Sequence, residues 1–137
     1  MSAVHEGGCQ CGAVRYRVDA EPVGVGVCRC RECQRQSGSA FGMSYVVPRE
    51  GFRLLRGQVK TFTRTSESGR PVVRAFCPEC GTRLYHEPRW RVGVVNVKPG
   101  TFDDPSFVRP TTQVLTSRQQ PWLDAMAALP SFPQQPF

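Results

Sequence analysis

Seven cysteines fall in three clusters: Cys9 and Cys11 in GGCQCG, Cys28, Cys30 and Cys33 in CRCREC, and Cys77 and Cys80 in FCPECGT. Spacings this close suit thiolates gathered on a metal better than disulfides, and the N-terminus MSAVHEGG lacks the charged and apolar regions of an export signal. A CxxC turn followed by glycine, as at Cys77, Cys80 and Gly81, is a zinc-knuckle pattern. Backbone amides turn toward the sulfurs there while the glycine takes the strained dihedral. One CxxC needs two more thiolates, and the obvious donors are Cys9 and Cys11, flanked by Gly7, Gly8 and Gly12. Four sulfurs from two distant segments make a closed, structural zinc site with four cysteine ligands. It would staple the first strand to the middle of the chain, with metal binding coupled to folding on the order of 10 kcal/mol.

Cys28, Cys30 and Cys33 are then left with no fourth cysteine. Three protein ligands and an open position mark a zinc that does chemistry or binds a ligand. The alternative is closure of the shell by His5, His86 or Glu32, although either imidazole more often serves a turn or a surface. Other chemistries fit less well. The CxCxxC run lacks ferredoxin spacing, copper(I) sits poorly beside a zinc knuckle, and three crowded thiols read as a ligand set more than as one activated nucleophile. The expected cofactor is Zn2+, two per chain.

The elements that position these clusters are short and mostly β. AVRYRV alternates Val14, Tyr16 and Val18 with Arg15 and Arg17, the period of a half-buried strand. SYVV, KTFTRT, VVRAF and VGVVNV are rich in β-branched and aromatic residues and end in turn residues, while ESGRP (Glu67 to Pro71) and KPGTFDDP (Lys98 to Pro105) read as connections. VGVVNV suits either a core strand or a subunit contact. Helix is expected only after Cys33, stopped by Gly38, and in PWLDAMAAL behind Pro121. The fold class is therefore mostly antiparallel β with short helical turns, as one domain over residues 1–130 and a Pro/Gln-rich tail over 131–137.

The formal charge is +7. Seven thiolates on two divalent ions would lower that excess by about three. The densest basic cluster, Arg29, Arg31 and Arg35, lies inside the cysteine motif, which suits a small anion better than a phosphate backbone. No aromatic-interleaved basic stripe supports nucleic acid, and no apolar run is long enough to span a bilayer. The expected location is the cytoplasm.

Taken in order, HEGGCQCGAVRY, CRCRECQRQSGSAFG, RAFCPECGTRLY and VNVKPGTFDDP, ending near QPWL, resemble the glutathione-dependent formaldehyde-activating enzyme family, which shares its domain with centromere protein V. The resemblance covers most of residues 5–123 and implies a zinc-stapled β-tent fold. It implies a structural zinc on Cys9, Cys11, Cys77 and Cys80 and a functional zinc on Cys28, Cys30 and Cys33, the partition that counting also reaches. Departures occur at Gln10 and Arg29, where many relatives have His, and at Gln113, where His is common.

The implied activity is that of a carbon–sulfur lyase or synthase joining glutathione to formaldehyde as S-(hydroxymethyl)glutathione, with a small thiol as the partner. Zinc would present the sulfur, and Arg29, Arg31 and Arg35 could hold its carboxylates. A non-catalytic zinc-stabilised binding module is the alternative, in keeping with centromere protein V. Trp90, with an arginine on each side, either caps a pocket or closes a loop. Asp103 and Asp104 read as turn and capping residues, and no general acid or base is assigned.

Overall fold

The computed structural model describes residues 3–65 and 68–136. Among these residues ten strands form two sheets: β1 (His5–Gly8), β2 (Arg15–Val18), β3 (Gly24–Cys28), β4 (Gly42–Pro48), β5 (Phe52–Arg56), β6 (Lys60–Thr65), β7 (Pro71–Phe76), β8 (Arg83–Pro88), β9 (Val94–Val97) and β10 (Thr112–Val114). One sheet has the order β1-β2-β5 and the other β10-β3-β4-β9-β8-β7-β6. Every pairing among the described strands is antiparallel except that of β10 with β3, in keeping with the expected mostly antiparallel β fold.

Alternation decides which face of each strand is buried. In β2 and the residue before it, Val14, Tyr16 and Val18 point into the core with at most 1% exposure while Arg15 and Arg17 do not. They pack with Tyr45 and Val47 of β4, Leu84 of β8, Val95 and Val97 of β9, and Phe102. Of VGVVNV, Val94–Val97 is thus a core strand in the middle of the large sheet, while Val92 is exposed ahead of it. Tyr45 meets Phe102 edge-on, ring centres 5.1 Å apart.

The opposite face of the large sheet carries a different row. Register places Arg74, His86, Asn96, Val46 and Gly24 side by side across β7, β8, β9, β4 and β3. His86, for which a turn or surface position is the more usual role, lies inside β8, directly between Arg74 and Asn96.

The single α-helix among the described residues, α1 (Arg31–Ser37), begins earlier than the sequence suggests and contains Cys33. Gly38 ends it in the left-handed region (φ 63°). The Cys30 sulfur takes the N-cap role, accepting from the Cys33 amide at 3.2 Å, where a serine or aspartate oxygen usually serves. Gln34, 4% exposed, anchors α1: its Nε2 donates to the Arg29 carbonyl at 2.7 Å and to that of Arg118 at 3.0 Å. Pro121–Ala128 forms 3-10 turns instead of an α-helix. None of its residues is buried, so no packed face stabilises a longer helix. In the Lys98–Pro105 connection, Asp104 caps a turn by accepting from the Ser106 amide at 3.0 Å, and Asp103 pairs with Arg15 through both carboxylate oxygens. Glu67 of the other expected connection lies outside the described residues. No helix among the described residues is long and apolar enough to cross a membrane.

Candidate metal centre

The β1–β2 loop and the β7–β8 turn bring Cys9, Cys11, Cys77 and Cys80 together, with all four sulfurs within 4.8 Å of one another. Cys9 and Cys11 are 3.6 Å apart, and Cys11 and Cys77 3.8 Å. Sulfurs bound tetrahedrally to one zinc stand about 3.8 Å apart, given a Zn–S bond near 2.3 Å. A disulfide would need about 2.05 Å. The donor set therefore fits a metal. Amides already point at it: Val14 N donates to Cys9 Sγ at 3.2 Å and Glu79 N to Cys77 Sγ at 3.4 Å. Thr82 joins the two loops, its hydroxyl accepting from the Gln10 amide at 3.1 Å and meeting Cys80 Sγ at 3.2 Å. That hydroxyl, with the Thr82 amide behind it, pushes the Cys80 thiol down to about 5. Gly12 (φ 82°) and Gly81 (φ 78°) turn the two loops in the region closed to most side chains.

The other three sulfurs also converge within 4.8 Å, Cys28 from the end of β3, Cys30 from the N-cap and Cys33 from the first turn of α1. Neither His5, His86 nor Glu32 joins that group. His5 stacks on Phe107 with ring centres 3.6 Å apart, and Glu32 pairs with Arg64 at 2.8 Å. Within the cluster, the hydrogen bond from Cys33 pushes the Cys28 thiol down to about 6, and the same contact pushes Cys33 up.

A cavity of about 390 Å³ opens over these sulfurs, and its lining includes Cys28, Cys30 and Cys33 together with Arg74, His86 and Asn96 of the cross-sheet row. A second cavity of about 380 Å³ meets it at Cys33 and His86 and is lined also by Gln36, Arg83 and Lys98. Sequence reasoning missed these cations because Arg74, Arg83 and Lys98 sit singly in strands or a turn, where only register gathers them. Arg74 is 3% exposed, with Nε and Nη1 unpartnered, and lies close enough to feel the charges of Cys33, Glu32 and Cys30. Burial pulls the Lys98 ammonium below its ordinary value, while Cys33 and Cys28 oppose that shift. Burial also holds His86 well below the ordinary imidazole value, with the Lys98, Arg74 and Arg83 charges acting in the same direction. By contrast, Arg29, Arg31 and Arg35 line neither cavity. Trp90 is a pocket residue, half exposed at the rim of the larger cavity with the Arg70 guanidinium 5.0 Å from its ring centre.

The family model for the glutathione-dependent formaldehyde-activating enzyme matches residues 4–118. The chain belongs to that family. A protein of Halomonas elongata, provisionally named a glutathione-dependent formaldehyde-activating enzyme, is 32% identical over 93 residues, which is 62% of this chain and 57% of that protein. The chain therefore spans little more than half the length of this relative. A crystal structure of a Rhodobacter sphaeroides protein shares the fold, with a TM-score of 0.63 over 80% of this chain and 99% of that one, at 19% identity. In this member of the formaldehyde-activating family, two of the unusual positions touch. Arg29 donates to Gln113 Oε1 at 3.1 and 3.3 Å and lies over the Phe41 ring at 4.9 Å, tying β10 to the three-cysteine loop.

Proposed function

We propose that the protein is a zinc-dependent carbon–sulfur lyase or synthase that makes and breaks a thiol adduct, in the manner of S-(hydroxymethyl)glutathione synthesis from glutathione and formaldehyde. The observation that carries this reading is a three-sulfur cluster that no fourth ligand among the described residues joins, facing a cavity and flanked by the buried Arg74 and the half-buried Lys98. Cys9, Cys11, Cys77 and Cys80 hold a structural zinc, and Cys28, Cys30 and Cys33 hold a second one. When bound, that second ion lowers the pKa of an incoming thiol so that the thiolate predominates at neutral pH.

Three thiolates on a divalent ion carry one negative charge, which would repel a thiolate. Arg74 and Lys98 reverse that sign locally and favour it. Arg83 and Lys98, in the smaller cavity, are placed to hold the carboxylates of an acidic thiol such as glutathione. In the synthetic direction a sulfur lone pair forms the C–S bond. The C=O π pair passes to oxygen, and that oxygen takes up the proton the thiol gave up. The lyase direction is the reverse. The protein contributes chiefly by holding the two reactants within reach of each other. Residues 1–130 act as one zinc-binding domain ahead of the 131–137 tail, and thiol chemistry of this kind suits the reducing cytoplasm.

The test is exchange spectroscopy on glutathione and formaldehyde at equilibrium with their adduct. Zinc-loaded protein should raise the exchange rate above that with the Cys30→Ser variant. Equal rates would end the catalytic reading in favour of a binding module.

A further inference from the structure

A one-carbon aldehyde is scarcely larger than a water molecule, which occupies about 30 Å³ in the liquid. The cavity over Cys28, Cys30 and Cys33 is about 390 Å³, more than ten times that size. Its walls are largely apolar: Val46 and Val72 from the sheet, Pro88 and Trp90 at one end, Val114 and Leu115 at the other. The space exists because β3 offers glycine where its neighbours offer side chains. Gly24 continues the row of Arg74, His86, Asn96 and Val46, and a β-carbon at Gly24 would meet no heavy atom within 4 Å.

Glu32, Ser44, Ser68, Arg91 and Thr112 also line this chamber, and four further polar atoms on its walls are unpartnered. Arg74 Nε and Nη1, His86 Nε2 and Asn96 Oδ1 are all buried without a hydrogen bond, on residues that line the cavity, and Arg74 and His86 are 3% and 6% exposed. Buried donors left unpaired carry a desolvation cost that a ligand acceptor removes. Glutathione, with two carboxylates and an ammonium, suits the neighbouring chamber of Arg83 and Lys98 and matches these valines and this tryptophan poorly.

Resting on the proposed thiol-adduct chemistry, we infer that this chamber takes the carbon partner, and that the partner is a carbonyl compound with an aromatic or branched apolar substituent. Its oxygen is held at Arg74 and His86, and its apolar body lies over Gly24, Val46 and Val72 under Trp90.

Carboxylates present a comparable oxygen without reacting with thiols, so the probes are 3-phenylpropanoate and acetate, titrated calorimetrically into zinc-loaded protein. The expected result is a Kd for 3-phenylpropanoate at least 30-fold below that for acetate. Gly24→Val should weaken 3-phenylpropanoate at least tenfold and leave acetate unchanged, because it fills the chamber and spares Arg74. Trp90→Ala, at a half-exposed side chain, should weaken the same probe without threatening the fold. Arg74→Met should weaken both probes. Equal affinity for the two carboxylates, or phenylpropanoate binding indifferent to Gly24→Val and Trp90→Ala, would overturn the inference. The two readings fail separately. Accelerated glutathione–formaldehyde exchange without phenylpropanoate binding removes this inference alone, and phenylpropanoate binding as expected without exchange removes the formaldehyde activity alone.

Discussion

Gly42 leaves the space that Cys33 needs: a β-carbon at Gly42 would lie 3.1 Å from Cys33 Cβ, 3.4 Å from its sulfur and 3.5 Å from Lys98 Nζ. Gly42 pairs with Cys28 across β3 and β4, so one glycine sits against two of the three clustered cysteines. Gly42→Ala should push α1 off the sheet by a few tenths of an ångström and spread the sulfurs. Elemental analysis should then find zinc falling from about two toward about one per chain, because the closed four-sulfur site is untouched. Full zinc content in this variant would show that the helix yields without cost.

The two metal sites should separate by what they support. Cys77 has no solvent exposure, and its sulfur meets that of Cys11 across 66 residues of chain. Cys77→Ser should lose more than about 4 kcal/mol of stability, as expected when a structural metal is lost. Cys30→Ser keeps an oxygen at the N-cap of α1, so it should lose one zinc and the exchange activity with little change in the denaturation midpoint. Equal destabilisation by the two would mean that both ions are structural.

His86 gives stability a pH dependence. Burial, and then the charges of Lys98, Arg74 and Arg83, hold it neutral in the fold well below its ordinary value, whereas the unfolded chain takes up the proton near 6.5. The contribution is therefore complete above about pH 6.5 and is lost as pH falls below it, by up to about 1.4 kcal/mol per pH unit. His86→Asn should remove that slope. The difference between the two proteins in denaturant titrations from about pH 7.5 to about pH 5.5 isolates it from acid release of metal. Parallel curves would place the imidazole in contact with solvent or an acceptor.

Arg74 and Arg35 should behave oppositely, although Arg35 belongs to the basic cluster that the sequence displays. Arg35 is exposed in the last turn of α1 and Arg74 is buried beside the thiolates. Arg74→Met should raise the KM for an acidic thiol at least tenfold while leaving thermal stability equal or higher, since a buried cation with unpartnered donors is costly to the fold. Arg35→Ala should change neither. An unchanged KM in Arg74→Met would assign thiol binding elsewhere.

These contrasts also show what could be read from the chain. The cysteine clusters were legible because ligand spacing is local: CxC and CxxC bring sulfurs together whatever surrounds them. The strands of β2, β4, β6, β7 and β9 were legible for a similar reason, since alternation and β-branching are written along a few residues. The face that lines the cavities was not. Arg74, His86 and Asn96 are separated by 10 residues or more and meet only through sheet register, while Gly24 and Gly42 matter for the atoms they lack. The Arg29, Arg31 and Arg35 cluster was conspicuous in sequence, yet it lines neither cavity. Pro121–Ala128 carries helix-forming residues but buries none of them, and propensity alone does not hold so short a segment in an α-helix.

The central claim is that the three-cysteine site is open and that a substrate thiol completes it. X-ray absorption at the zinc edge counts sulfur neighbours directly. With one closed and one open site the average should be about 3.5 sulfurs per zinc, rising to about 4 when glutathione is added in excess. A value of about 4 before glutathione, or about 3.5 that does not move when it is added, would contradict the account.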